Sequence, residues 1–313
     1  MADTFREVVR QLVLYCPQVP LPLCELWVRD RWRQLCETRN WSFLRGVGQF
    51  DIHSSYGEGT VICTNGSPVI EGVDTTFIDD HIGRQIKIPN SPVYTIVSVE
   101  SVTSLTIDRN FAGPSLADQV YMIVEAYITP PEDFLSFISV VSLQNMWRLN
   151  VGYYDSKDID VRDPRRVTNG WPYLIASMVY SSTSQPTMTP VPMFEMWPHP
   201  TAAGAYPFFY LRRTSDFNES FVIPSVVTGD VLRTGALAEL CRWPGTEDKP
   251  NPMFRLDLSV RYETEWNYKV GLAGKQDNEI YQGDISYEGY PLVPMSANFA
   301  QNHGMYEIAA AIS

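Results

Sequence analysis

The 313-residue chain has no apolar run approaching the ~18 residues that a membrane helix needs. Its N-terminus also lacks the basic-then-apolar pattern of a secretory leader. A soluble protein that is not exported by a signal peptide is expected. Basic side chains are few: Lys and Arg number 24 against 36 Asp and Glu, a formal net charge of −12. Sequence-wide affinity for phosphate backbones needs clustered cations, so nucleic acid should not adhere. Cysteine is sparse as well. Cys16, Cys24, Cys36, Cys63 and Cys241 are an odd number and widely spaced, with no CxxC or Cys/His cluster to close a tetrahedral metal site. Free buried thiols in a reducing compartment follow. GxSxG, GxxxxGK[ST], HExxH and GxGxxG are all missing, so nucleophile, phosphate-cradle and zinc chemistry have no anchor.

What is present is globular: 44% of residues are hydrophobic and 19% charged, and the length suits about two domains. Proline, at 23 residues, exceeds its usual ~5% and points to strand edges and extended connections. Thr4-x-x-Glu7 reads as a capping box, followed by Phe5, Val8, Val9, Leu12 and Val13 at helical spacing up to Pro17. After Pro22 a second pattern places Leu23, Leu26, Trp27, Leu35 and Cys36 on one side. Arg29, Asp30, Arg31, Arg33 and Glu37 fall largely on the other.

From Gly46 to Ile128 the period changes to two, with TVICT, PVIEG, RQIKI, VYTIVSV, SLTID and VYMIVEA as short strands. Asn65-Gly66 predicts a type I′ hairpin. Phe134, Phe137, Ile138, Val140 and Val141 fit a strand or a short helix equally well, and residues 191–213 read as two strands with Ala-Ala-Gly as the turn. Helices are expected from Val226 to Trp243 and from about Pro252 to Ala273. These patterns predict an α+β fold: a helical hairpin and long C-terminal helices packed together, an inserted small antiparallel β-barrel or sandwich lobe, and an extended C-terminal arm. The expected boundaries are 1–45 for the N-terminal helical part, 46–128 for the β lobe, 129–276 for a mixed β and helical remainder of the core, and 277–313 for the arm.

Few groups point to chemistry. Asp79-Asp80-His81 has acid–base residue types, but it sits between strand patterns, where Asp serves turn hydrogen bonds. His199, between Pro198 and Pro200, reads as part of a rigid loop. The densest basic run, RDPRR with Arg162, Arg165 and Arg166, alternates with acids and suits a mixed-sign solvated or intersubunit surface. In the arm, Tyr281, Tyr287, Tyr290, Leu292, Phe299 and Tyr306 lie among Gly and Pro and need a partner surface to bury them.

The helical pair running into RWRQLCETRNWSFLRG, with Trp41-Ser42-Phe43 as an aromatic Trp-x-Phe run, resembles the opening of tailed-bacteriophage head-to-tail adaptor proteins of the tail tubular A type. YITPPEDFLSFISVVSLQNMWRL, FEMWPHPTAAGAYPFFYLRR and GALAELCRWPGTEDKPNP also resemble segments of phage neck or virion proteins, so the likeness covers most of the chain. Against the minimal adaptor pattern, the β lobe is an insertion. The resemblance implies a structural, non-enzymatic virion protein without cofactor or metal, forming a ring of about twelve copies between portal and tail. Its implied partners are the portal protein, a tail, nozzle or tail-terminator protein, and tail fibres, with no membrane. Double-stranded genomic DNA would pass through the channel without specific binding. It would reside in the virion neck or tail after assembly in the host cytoplasm. Under that reading the acidity becomes a channel wall that repels the DNA backbone. Two other readings stand beside it: a tail, baseplate or fibre-attachment component, and a carbohydrate-binding or glycan-degrading tail protein suggested by the Trp and Tyr content and by Asp79/Asp80.

Overall fold

A computed structural model describes residues 4–180, 192–214 and 221–280. Among them the chain forms five helices, α1 (Phe5–Tyr15), α2 (Leu21–Glu37), α3 (Ser156–Arg162), α4 (Gly229–Arg242) and α5 (Leu256–Ile280). The strands begin with β1 (Arg45–Ile52), β2 (Thr60–Cys63), β3 (Val69–Val73), β4 (Gln85–Lys87), β5 (Tyr94–Ser101), β6 (Ser104–Ile107), β7 (Leu116–Gln119) and β8 (Met122–Val124). They continue with β9 (Tyr127–Ile128), β10 (Phe134–Ser142), β11 (Trp147–Asp155), β12 (Leu174–Tyr180), β13 (Pro192–Trp197) and β14 (Gly204–Arg212). The fold is α+β, and the chain divides into two compact units.

Among the described residues, the helical unit comprises those of 1–45 and 211–280. The capping box forms as expected: Thr4 Oγ1 accepts the Glu7 N–H at 3.3 Å, and Glu7 Oε2 accepts the Thr4 N–H at 2.9 Å. Such a cap is worth about 1 kcal/mol. Phe5, Val8, Val9 and Leu12 are the buried face of α1, and they pack with Cys24, Val28, Trp32 and Leu35 of α2 and with α4. Helix α4 is enclosed on nearly every side. Val231, Leu232, Ala236, Leu237 and Leu240 are buried, which is why its apolar residues show no single stripe. Helix α5 presents Trp266 and Ala273 to this core.

Helix α5 starts four residues later than the expected Pro252 and runs past the expected Ala273. Its start follows an Asn251-centred turn. Asn251 Nδ2 donates to the carbonyls of Leu240 and Trp243, each at 2.7 Å, and Oδ1 accepts the Met253 N–H at 2.9 Å. Its last turns are held by buried Asp277, which accepts the Ser42 N–H at 3.1 Å and also pairs with the Ser42 hydroxyl. The polar side assigned to α2 is broken by Arg31, which is buried.

The second unit, residues 46–210, holds two seven-stranded sheets. The larger runs in the order β1-β14-β10-β11-β12-β13-β9, the smaller in the order β7-β2-β3-β6-β5-β4-β8. The smaller sheet is antiparallel at each recorded pair and encloses Val61, Ile70, Phe77, Ile86, Ile96, Leu105 and Ile123. Its strands lie between β1 and β9, which both belong to the larger sheet. Residues 129–210 therefore group with the β lobe, whereas the expected boundaries placed them with the helices; the pairings of β1 with β14, β14 with β10 and β13 with β9 are long-range and leave no local sequence mark.

The segment at Phe134 resolves as strand β10. The two strands expected in 191–213 form but do not pair with each other: β13 sits between β12 and β9, and β14 between β1 and β10. At Asn65-Gly66 only Gly66 has positive φ, so the connection is not type I′. It is a five-residue loop, because the Asn65 amide donates to the Gly113 carbonyl at 2.7 Å and the Gly66 N–H to that of Phe111 at 2.9 Å. Strands β11 and β12 are parallel, which demands a crossover. Helix α3 supplies it, started by Asp155, whose side chain accepts the Lys157 and Asp158 N–H groups. The five cysteines are free and buried.

Candidate functional site

The densest cluster of buried ionisable groups lies where the segment after α3 meets β13. Asp163 ends α3 and turns inward. Its Oδ1 accepts the Val167 N–H at 3.0 Å, and Oδ2 accepts those of Thr168 at 2.8 Å and Trp197 Nε1 at 3.4 Å. Burial alone would raise this carboxyl, but the backbone donors of Thr168 and Val167 outweigh it and hold it below the ordinary aspartate value. Glu195, on β13, is fully enclosed. Its Oε1 accepts Arg166 Nε at 2.6 Å and faces His199 Nε2 at 3.0 Å, while Arg166 also reaches Asp160 at 2.7 Å.

Burial pushes the His199 imidazole below its ordinary value, opposed by Glu195 and reinforced by the Lys87 and Arg166 cations. The ring is therefore neutral at pH 7, so its contact with Glu195 is a hydrogen bond in which Nε2 donates. His199 is 0% exposed and Glu195 1%, so a substrate has no route to either as acid or base. The cluster pins the 163–170 loop to β13; it is a clasp, not an exchange site.

The RDPRR run is thereby divided. Arg166 is turned inward, Arg162 lies exposed with its guanidinium 5.0 Å from the centre of the Tyr154 ring, and Arg165 is exposed at the edge of a cleft. Asp79-Asp80-His81 is one turn of 3-10 helix. His81 is buried beside Tyr56, ring centres 4.8 Å apart, and its Nδ1 accepts the Ile78 N–H at 3.4 Å, while both aspartates point to solvent. Burial, with Arg84 adding, lowers this histidine too, against Asp80. Among the described residues no group of three His, Cys, Asp or Glu side chains is placed to hold a metal ion, and no helix is long and apolar enough to cross a membrane. Tyr281, Tyr287, Tyr290, Leu292, Phe299 and Tyr306 lie outside the described residues.

A further surface stands out in the helical unit. Helix α5 is 25 residues long and exposes Leu256 (62%), Val260 (64%), Tyr268 (67%) and Leu272 (45%). With Thr264 these positions repeat every four residues, a ridge that winds slowly around the side of the helix away from Trp266. This four-residue spacing was the signal available for the ridge. Compared with known proteins, the chain matches no protein-family model and no curated protein sequence.

Proposed function

We propose that the chain is a structural virion protein that assembles as a ring between portal and tail, a head-to-tail adaptor carrying an inserted β unit, with no catalytic role. The observation that supports this best is the α5 ridge. A monomer gains nothing from four large apolar side chains held in water on a regular helix, whereas covering what remains exposed of each is worth about 1 kcal/mol. In a ring, a helix face of one copy packs against a different face of the next, a heterologous contact that closes by rotation. The α1–α2 pair leading to Trp41-Ser42-Phe43 takes the place of the adaptor hairpin, with Trp41 stacked on Phe43 (ring centres 5.6 Å apart) and Phe43 on Trp32 (5.4 Å).

Mass photometry of the full chain, alone and with a portal protein, tests the reading: a species of about twelve copies is expected. The double variant Tyr268→Asp/Leu272→Asp should abolish it while shifting stability by no more than ~1 kcal/mol, about 0.5 kcal/mol for each exposed site. A wild-type chain that stays monomeric at micromolar concentration with portal present refutes the proposal. A copy number of three or six in a purified particle, in place of about twelve, would favour the fibre-attachment reading instead.

A further inference from the structure

The RDPRR run satisfies two of its three arginines internally. Arg162 lies over Tyr154, and Arg166 is paired with Glu195 and Asp160. Arg165 is not. Its recorded hydrogen bond is a long one, 3.4 Å to Asn90 Oδ1, and among the described residues no carboxylate lies within ion-pair distance of it. The unit has 17 acidic against 8 basic side chains (residues 46–210), and Arg165 has no acidic partner among them.

Arg165 borders a cleft of about 390 Å³ and an adjoining hollow of about 290 Å³, which share Asn90, Ser91 and Val93. Lys87, at the end of β4, faces the larger one. Its ammonium donates to Asn169 Oδ1 at 2.5 Å, which uses one of three donors. Burial brings the Lys87 amine down to about 8, against the Asp163 and Glu195 carboxylates. The same cleft is lined by apolar Val120, Met122 and Val167, with Val120 and Val167 exposed.

We infer that this cleft receives the carboxylate of an acidic peptide segment whose neighbouring side chains are apolar. Two cations lining one cleft suit an anionic ligand, with the Asn90 and Ser91 side chains as additional hydrogen-bonding groups. They do not form the track of cations that a nucleic-acid backbone needs, and the acidic surroundings repel a polyanion. The valine and methionine walls give the flanking residues something to cover. The inference does not rest on ring assembly.

Protection of Lys87 from acylation tests it on the full chain. At about pH 8 limiting acetic anhydride should modify Lys87, and peptide mass spectrometry reads its rate, with exposed Lys157 and Lys275 as internal references. Acetyl-Leu-Glu-Leu-amide at about 10 mM, against a dissociation constant of about 1 mM, should slow Lys87 about tenfold and leave the references unchanged. The Gln counterpart should not slow it. Arg165→Ala, at an exposed site, should weaken binding about fivefold and cut the protection to about threefold. No protection, equal protection by the Gln peptide, or undiminished protection in Arg165→Ala overturns the inference. So does protection by inorganic phosphate or acetate that equals that of the peptide, since either would place the affinity in the anion alone.

Discussion

Arg31→Met should destabilise the helical unit by about 2–3 kcal/mol. The Arg31 side chain is 3% exposed. Its guanidinium meets Glu263 through two bonds of 2.9 and 2.7 Å, pairs with Glu239, donates to Gln34 Oε1 at 3.1 Å and lies 4.8 Å above the centre of the Trp266 ring. Removing one partner of a fully buried pair costs about 3–5 kcal/mol, because the other charge stays desolvated. Two features reduce this. Glu239 and Glu263 retain 27% and 29% exposure, and Arg242 stands 3.1 and 3.4 Å from them as a second cation. Methionine also keeps most of the apolar stem against Trp266.

Five of the eight tryptophans (Trp27, Trp32, Trp41, Trp243 and Trp266) lie in this unit, so fluorescence in urea follows it. With a slope near 1.5 kcal/mol per M, the midpoint should fall by about 1.5–2 M. The double variant Arg31→Met/Glu263→Gln should lose less than the sum of the two single changes, by about 1–2 kcal/mol. The hydrogen bond to Arg31, against burial and with the Arg31 and Arg242 charges, holds Glu263 below its ordinary 4.5. Its contribution is present above 4.5 and is lost as pH falls through the depressed folded value, so wild type and variant should converge in acid. A midpoint shift below about 0.3 M, or additive single changes, would refute the reasoning.

Two glycines test packing against propensity. Alanine favours a helix over glycine by about 1 kcal/mol, so Gly271→Ala on α5, where an added Cβ meets nothing within 4 Å, should raise the midpoint. Gly235→Ala on α4 should lower it by about 1 kcal/mol net, since its Cβ would stand 2.8 Å from Trp266 Cδ1 and 2.9 Å from Arg31 Cδ, an overpacking of about 1–3 kcal/mol. A third expectation concerns pH. His81 and His199 are held below the ordinary 6.5 in the fold, so the unfolded chain takes up protons first and stability declines as pH falls below about 6.5. The slope approaches ~1.4 kcal/mol per pH unit for each histidine. His199→Gln should remove about half of it in hydrogen-exchange or urea measurements of the 46–210 unit, and an unchanged slope would show that His199 does not titrate there.

Helix starts and buried strands were legible because their causes are local. Thr4 and Glu7 are three residues apart, and the Val-, Ile- and Thr-rich runs of the smaller sheet alternate visibly. Where causes are distant, the sequence carries no mark. Arg31 sits at a position that looks like part of a charged face, yet Glu239 and Glu263 from two other helices draw it inside. Asn65-Gly66 has the composition of a two-residue turn but is claimed by 111–115. Glu195 and His199 stand four residues apart across a Pro, and their association with Arg166 depends on a crossover helix of seven residues with one buried apolar side chain, Ile159. That cap, Asp155 with Asp158, was the readable signal for α3.

The charge of −12 proves to be unevenly placed, and this alters what it can do. Residues 1–45 and 211–280 carry 16 acidic and 16 basic side chains, 46–210 carry 17 and 8, and 281–313 carry 3 acids with no Lys or Arg. The helical unit is neutral, with its charges largely spent on internal pairs such as Arg31 with Glu239 and Glu263 and Lys269 with Asp230 and Glu265. A channel lined by these helices alone would therefore repel DNA no more than any neutral wall does; repulsion requires that the 46–210 unit supply the lining. Under the proposed ring, assembly and DNA repulsion would depend on different parts of the chain: apolar contacts of α5 would drive the first, insensitive to salt, while the second would weaken within a Debye length of ~10 Å at 0.1 M salt. Replacing the exposed acids of the β unit with neutral amides should leave copy number intact and change only the passage of DNA.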